Sequence, residues 1–145
     1  MVPLKKLLKK LRVCLKIKTK IVTPEGVYKE FESAQLNVRS TDGERGILPN
    51  HMPLVLMLEI SRLETKENGQ KKQYAIAGGM LYFENNIATI LVDSIESQDE
   101  IDEQRAIAAK ERAEKRLAKK DSNIDIRRAE IALHKAINRI NVLHY

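Results

Sequence analysis

From Leu15 the chain alternates, with Leu15, Ile17, Thr19 and Ile21 on one side and Lys16, Lys18 and Lys20 on the other, the period-two pattern of a strand with one buried face. Turn chemistry follows in TPEG, residues 23–26, where Pro24 presets one backbone angle. VYKEF and QLNVR then read as strands, the second with Leu36 and Val38 on one face. After GERGILPNHMPLV, residues 43–55, come LVLMLEIS, SRLETK, KQYAIA, MLYFE and IATILVD, punctuated by Asn68-Gly69, Gly78-Gly79 and Asn85-Asn86. Asn-Gly favours a tight hairpin, and Gly78-Gly79 marks a bend or a close backbone approach within a sheet. Eight or so short strands at spacings of about ten residues predict an antiparallel sandwich or barrel.

At Ser97 the period changes. Ser97 with Glu100 reads as a capping box, and Asp99, Glu100, Asp102 and Glu103 give the first turn the charge the helix dipole favours. Alanine-rich helix is predicted to about Lys120, and Ser122 with Asp125 repeats the box ahead of a second helix ending near Leu143. Ala106, Ala109, Ala113 and Leu117 stripe the first helix, and Ala129, Leu133, Ala136, Ile137 and Ile140 the second. The short connection makes the pair an antiparallel hairpin. Alone it buries little, so it must dock on something and is the natural moving part. The expected organisation is a basic leader over residues 1–14, a β-sandwich over 15–96 and a helical hairpin over 97–145.

Composition narrows the function. Aromatic residues make up 4% of the chain and tryptophan is absent, so the core is aliphatic and stacking platforms for single-stranded nucleic acid are not expected. A lone cysteine, Cys14, rules out an internal disulfide, and no zinc-ligand spacing occurs. The net charge of +6 is local: of 26 Lys and Arg, eight lie in the first twenty residues, which hold no acid, and the remainder are outnumbered by 20 Asp and Glu. With no accompanying recognition motif, a nucleic-acid partner is set aside. Within the leader, Leu4, Leu7, Leu8 and Leu11 recur at helical spacing opposite lysines, the pattern of a helix lying on an anionic membrane surface. A disordered basic tail or an upstream start is the competing reading. Lys16, Lys18 and Lys20 interrupt any signal-peptide core, and no apolar run is long enough to span a bilayer.

Four segments in order, GERGILPNHMPLV, AIAGGMLYFENNIATILVDS, IDEQRAIAAKERAEKRL and RRAEIALHKAINRINV, resemble the epsilon subunit of the F-type ATP synthase over residues 15–143. The resemblance implies a sandwich followed by a hairpin, and a non-catalytic rotor component, peripheral to the cytoplasmic face of a bacterial membrane. It also implies that the sandwich binds the gamma subunit and the ring of c subunits, while the hairpin can extend along gamma and block ATP hydrolysis. The glycines Gly43 and Gly46 then permit unusual backbone angles in the opening loop, Pro49 and Pro53 stiffen its exit, and Glu44 and His51 are candidates for the c-ring interface. Asn50 stands where glycine is common in the family, and asparagine is the next most tolerant of positive φ. No serine, cysteine or paired carboxylate partners His51, so no catalytic or metal residue is assigned.

IDEQRA, residues 101–106, is similar to the pattern by which some bacterial epsilon subunits bind ATP in the folded hairpin. It implies a regulatory, not an obligatory, ligand held by Asp102, Arg105 and Ala106, with Lys135 and Arg139 from the second helix and Glu96 before the first. Asp102 and Arg105 share a helix face, as do Lys135 and Arg139. Lys135 stands where ATP-binding members carry arginine, which keeps the charge but loses the planar fork and predicts weaker binding. The same residues have two other readings: an ordinary surface ion pair at Asp102 and Arg105, and Arg128, Lys135 and Arg139 meeting an acidic segment of the catalytic beta subunits when the hairpin extends. A free-standing ATP-sensing module is the alternative from another class, separated from a rotor subunit by co-purification with gamma.

Overall fold

A computed structural model describes residues 15–119 and 121–145. The expectation for the leader lies outside the described residues. Eight strands precede two helices: β1 Ile17–Thr23, β2 Gly26–Ser33, β3 Leu36–Ser40, β4 Gly43–Ile47, β5 Leu54–Glu67, β6 Gln70–Glu84, β7 Ile87–Val92, β8 Ile95–Ser97, α1 Glu103–Ala118 and α2 Ile126–Leu143. The sheet order is β2-β1-β7-β6-β5-β3-β4, with β8 also pairing β6. Pairing is antiparallel except between β1 and β7, which run parallel from Lys18↔Ile87 to Val22↔Leu91, a pair the reading of an antiparallel sandwich did not include.

Two expected pairs of short strands are each one long strand. LVLMLEIS and SRLETK merge into β5, 14 residues, and KQYAIA and MLYFE into β6, 15 residues. Their register holds throughout, from Leu54↔Phe83 to Glu67↔Gln70, yet the buried parity changes: Leu58 and Leu81 face the core in one half, Leu63, Tyr74 and Ile76 in the other. The ribbon bends between layers at Gly78-Gly79. Gly78 has φ 88°, and a Cβ on Gly79 would lie 1.9 Å from the Leu91 carbonyl oxygen. Only glycine lets β7 approach that closely.

The layers enclose fifteen buried apolar residues, with Tyr74 and Phe83 the largest. Ile17 and Ile21 join them, whereas Leu15 precedes β1 and is 49% exposed. At one end Glu67 is buried with an explicit set of partners: Lys29 Nζ donates to its Oε2 at 2.9 Å, while Tyr74 and Thr65 hydroxyls donate to Oε1 at 2.7 and 2.8 Å. Burial alone would raise the Glu67 carboxyl, but these hydrogen bonds and the Lys29 charge outweigh it and hold the group below its ordinary 4.5. Burial and the bond to Glu67 push the Tyr74 phenol upward.

Both helices start later than the capping boxes suggest, with caps at Asp102 and Asp125 in place of Ser97 and Ser122. Ser97 and Glu100 do close on each other, the Ser97 N–H donating to Glu100 Oε2 at 2.9 Å. However, β8 pairing holds Ser97 in the sheet, and the α1 cap is Asp102, whose Oδ1 accepts from the Arg105 N–H. Of the four acids expected to load that turn only Glu103 lies in it. Asp125, not Ser122, caps α2, since Asp121 closes the connection by accepting from the Asn123 N–H. The helix interface is alanine on both sides, Ala106 and Ala113 against Ala129 and Ala136, all at most 3% exposed. Ile137, expected in that interface, is 38% exposed and instead lines the cleft between α2 and the sheet.

Candidate functional site

The hairpin lies over the half of the ribbon nearer the β5–β6 turn. Its apolar junction with the sandwich is small: Ala75, Ile101 and Val142 are buried, with Leu143 packed beside them. Polar stitches do much of the fastening. Asn138 Nδ2 donates to the carbonyl oxygens of Ser61 at 2.8 Å and Ile76 at 3.3 Å, which are cross-strand partners in β5 and β6. Gln98 donates to the Leu143 carbonyl, His144 Nε2 lies 2.8 Å from Glu103 Oε1, and the Arg62 guanidinium stacks 3.4 Å from the centre of the Tyr145 ring. A cleft of about 970 Å³ remains between α2 and strands β3 to β5.

Of the predicted nucleotide residues, two meet at this joint and the others lie along the hairpin. Arg139 Nε donates to Glu96 Oε2 at 2.8 Å, joining α2 to β8, with both side chains about a third exposed. Ala106 is buried where α1 meets α2. Asp102 is committed as a helix cap and bonds the Arg105 backbone, not its guanidinium. Arg105 is exposed and Lys135 half-buried, and neither forms an ion pair among the described residues. Of the six residues, the only polar contact between side chains is that of Arg139 with Glu96, and none of the six lines the cleft beside α2. Sequence reading missed the fastening residues Asn138, Gln98, His144 and Tyr28. Asn138 had one legible signal: it lies four residues before Val142, on the stripe that faces the sheet.

At the opposite tip of the sandwich, Asn50 and Asn86 carry φ of 66° and 60°, as expected for Asn50. Their amides bind each other, Asn50 N donating to Asn86 Oδ1 at 2.6 Å and Asn86 Nδ2 to Asn50 Oδ1 at 3.0 Å. His51 sits edge-on to Phe83 with ring centres 6.0 Å apart, and Met52 beside it is 78% exposed. Glu44 is exposed in β4, paired in register with Arg39, so it is not on the loop with His51. Gly46 also belongs to β4 and lacks a positive φ, because strand pairing with Asn37 sets its backbone. On the outer face of the layer formed with β7, exposed Val55, Met57, Tyr82 and Leu91 surround half-buried Met80 through the cross-strand pairs Val55↔Tyr82, Met57↔Met80 and Met80↔Leu91, making an apolar strip. Such a strip on a sheet face marks an interaction surface.

Comparison with known proteins accounts for the whole described fold. Residues 16–98 match the beta-sandwich domain of the ATP synthase Delta/Epsilon chain, and residues 99–144 match its long alpha-helix domain. The ATP synthase epsilon chain of Bacillus licheniformis is 43% identical over 87% of this chain and 96% of its own length. That of Desulforamulus reducens is 48% identical over 83% of this chain and 91% of its own. Among solved structures, a chain of the Euglena gracilis mitochondrial ATP synthase, in an assembly of OSCP, F1 and c-ring, superposes with a TM-score of 0.79 at 26% identity, covering 90% of this chain and 82% of that one. A chain of the Tetrahymena thermophila central stalk and c-ring shares the fold at TM-score 0.54 and 14% identity. Sandwich and hairpin thus occur in family order with relatives matched over nearly their full length, and the chain belongs to the epsilon-subunit family of the F-type ATP synthase.

Proposed function

We propose that this epsilon-type subunit is a non-catalytic coupling and regulatory part of the rotor, on the cytoplasmic face of the membrane, whose hairpin is switched by ATP. The apolar strip of Val55, Met57, Met80, Tyr82 and Leu91 is the docking face for gamma. The tip built on Asn50, His51 and Met52, with Glu44 on the adjoining strand, meets the c ring. The observation that carries the switch is the slightness of the hairpin's attachment: three buried apolar residues and a handful of polar contacts. An attachment of that size holds an element by a few kcal/mol, within reach of a ligand that binds only the docked state.

ATP, bound by Arg105, Lys135 and Arg139 with Asp102, Ala106 and Glu96, stabilises the docked hairpin. When ATP is scarce, the hairpin extends and Arg128, Lys135 and Arg139 meet acidic groups of the catalytic beta subunits. Titrating ATP against the purified chain while following hydrogen exchange tests this. Hairpin amides in α1 and α2 are expected to gain protection, and Arg105→Ala is expected to lose the effect; unchanged exchange at millimolar ATP removes the nucleotide from the proposal.

A further inference from the structure

The first hairpin of the sandwich carries an irregularity with a long reach. Ile21 pairs with Lys29 and Val22 with Val27, so Tyr28 is an extra residue with no partner on β1. Bulges re-aim side chains, and this one sends the Tyr28 hydroxyl to Glu100 Oε2 at 2.6 Å, across 72 positions of sequence. The same oxygen accepts the Ser97 N–H at 2.9 Å, and the Glu100 N–H returns to the Ser97 carbonyl at 3.0 Å. Residues 97–100 thus form a closed turn, and Tyr28 is its tie to strand β2. The ring of Tyr28 is in turn set edge-on against buried Tyr74 at 6.5 Å. This turn is the only covalent route from sandwich to hairpin.

We infer that Tyr28 is a positioning residue that latches the turn to the sandwich, so that the hairpin pivots at residues 101–102 and the turn does not travel with it. The inference rests on the movable hairpin proposed above. Its physical basis is a short bond between a neutral donor and a charged acceptor, stronger than a bond between neutral groups. Both groups show its effect. Burial and then the Glu100 bond push the Tyr28 phenol up to about 12. The Tyr28 bond, followed by the Ser97 N–H, holds the Glu100 carboxyl below 4.5, with Lys29 adding a favourable charge. A turn left untied would share the hairpin's excursions, and the Gln98 N–H bond to the Gln73 carbonyl at 3.1 Å would open with them.

Tyr28→Phe in the full-length chain keeps the ring and removes the tie. Exchange of the Gln98 and Glu100 amides is expected to rise about tenfold, with β5 and β6 amides unchanged, and the Glu100 carboxyl, followed by carbon NMR, is expected to titrate higher than in wild type. Unchanged exchange at Gln98 and Glu100 overturns the latch, whether or not the carboxyl moves. If Tyr28→Phe loosens the sandwich, its combination with Glu100→Ala decides: the latch predicts that the effect of Tyr28→Phe on Gln98 exchange shrinks once the acceptor is gone, and an equal effect in both backgrounds overturns it. A separate measurement of label distance between β4 and α2 reports whether the hairpin leaves at all; failure there removes the switch, while the two amides still decide the latch.

Discussion

Asn138→Ala tests how the hairpin is held. The carboxamide spans both strands of the ribbon at one level, with one good hydrogen bond to Ser61 O at 2.8 Å and a longer one to Ile76 O at 3.3 Å. A net gain of about 1 kcal/mol for the first and less for the second gives a loss of about 1–2 kcal/mol, a shift of roughly 5- to 30-fold in the docking equilibrium. The rest of the joint is not large enough to absorb that: Val142 is its one fully buried side chain in α2, worth about 1.5–3 kcal/mol. Spin labels on Arg45 and Asn141, which face each other across the cleft beside α2, report the docked fraction, with Cys14 replaced by serine. The undocked population should increase by that factor while the sandwich melts as before, because ribbon pairing does not depend on the amide. An undocked population within twofold of wild type, with α2 still helical, would refute the account of the joint.

Three further outcomes follow from the geometry. Gly79→Ala should destabilise the sandwich by about 4 kcal/mol or more in urea titrations, since its Cβ would stand 1.9 Å from the Leu91 oxygen; Gly69→Ala, at φ 79° in open space, should cost about 1–2 kcal/mol. Glu67 is held below 4.5 in the native state, so it stabilises the fold above the unfolded value of about 4.3 and that contribution is lost as pH falls through the lower native value; acid titration of Glu67→Gln should lack this component. Asp125→Ala removes the α2 cap, whose Oδ1 accepts from the Arg128 N–H at 3.0 Å, and should cost about 1 kcal/mol of hairpin stability by circular dichroism.

How much of this was legible depended on whether the cause was local. Asn50 adopts the positive φ its place in the loop suggests, Asn68, Asn85 and Asn86 fall in turns where the sequence predicts them, and the helical period is borne out over residues 103–118 and 126–143 apart from Ile137. Gly78-Gly79, which the sequence marks as a bend or close approach, is both. What failed was set by partners distant in sequence. Alternation could not tell two short strands from one ribbon that changes layers, because the bend keeps register while switching the buried face. The boxes at Ser97 and Ser122 were sound local patterns, but β8 pairing claimed Ser97, and aspartates further along took both caps. At the candidate site, Asp102 lies just ahead of the first turn as its cap, and its carboxylate binds backbone. The Arg139–Glu96 pair joins two of the six predicted residues, through a contact between α2 and β8 that spacing within one helix could not reveal.

The division of labour in the molecule comes from unequal burial. Fifteen buried apolar side chains tie the sandwich together and three tie the hairpin to it. At about 1.5–3 kcal/mol for each large side chain fully buried, opening the sandwich would cost tens of kcal/mol, whereas lifting the hairpin exposes one valine, one isoleucine, one alanine and part of Leu143. The proposed function asks the subunit to transmit torque without yielding and still respond to a ligand, and those demands conflict within a single core. Here they are separated along the chain, with residues 97–100 as the boundary. The alanine interface follows the same logic: Ala106, Ala113, Ala129 and Ala136 let the helices pack closely while burying little area, so the hairpin holds its own shape but contributes little to holding its place. Larger side chains at Ala106 and Ala129 would splay the helices and move Asn138 and Arg139 off their carbonyl and carboxylate partners, loosening the attachment through the geometry of the hairpin without touching the joint itself.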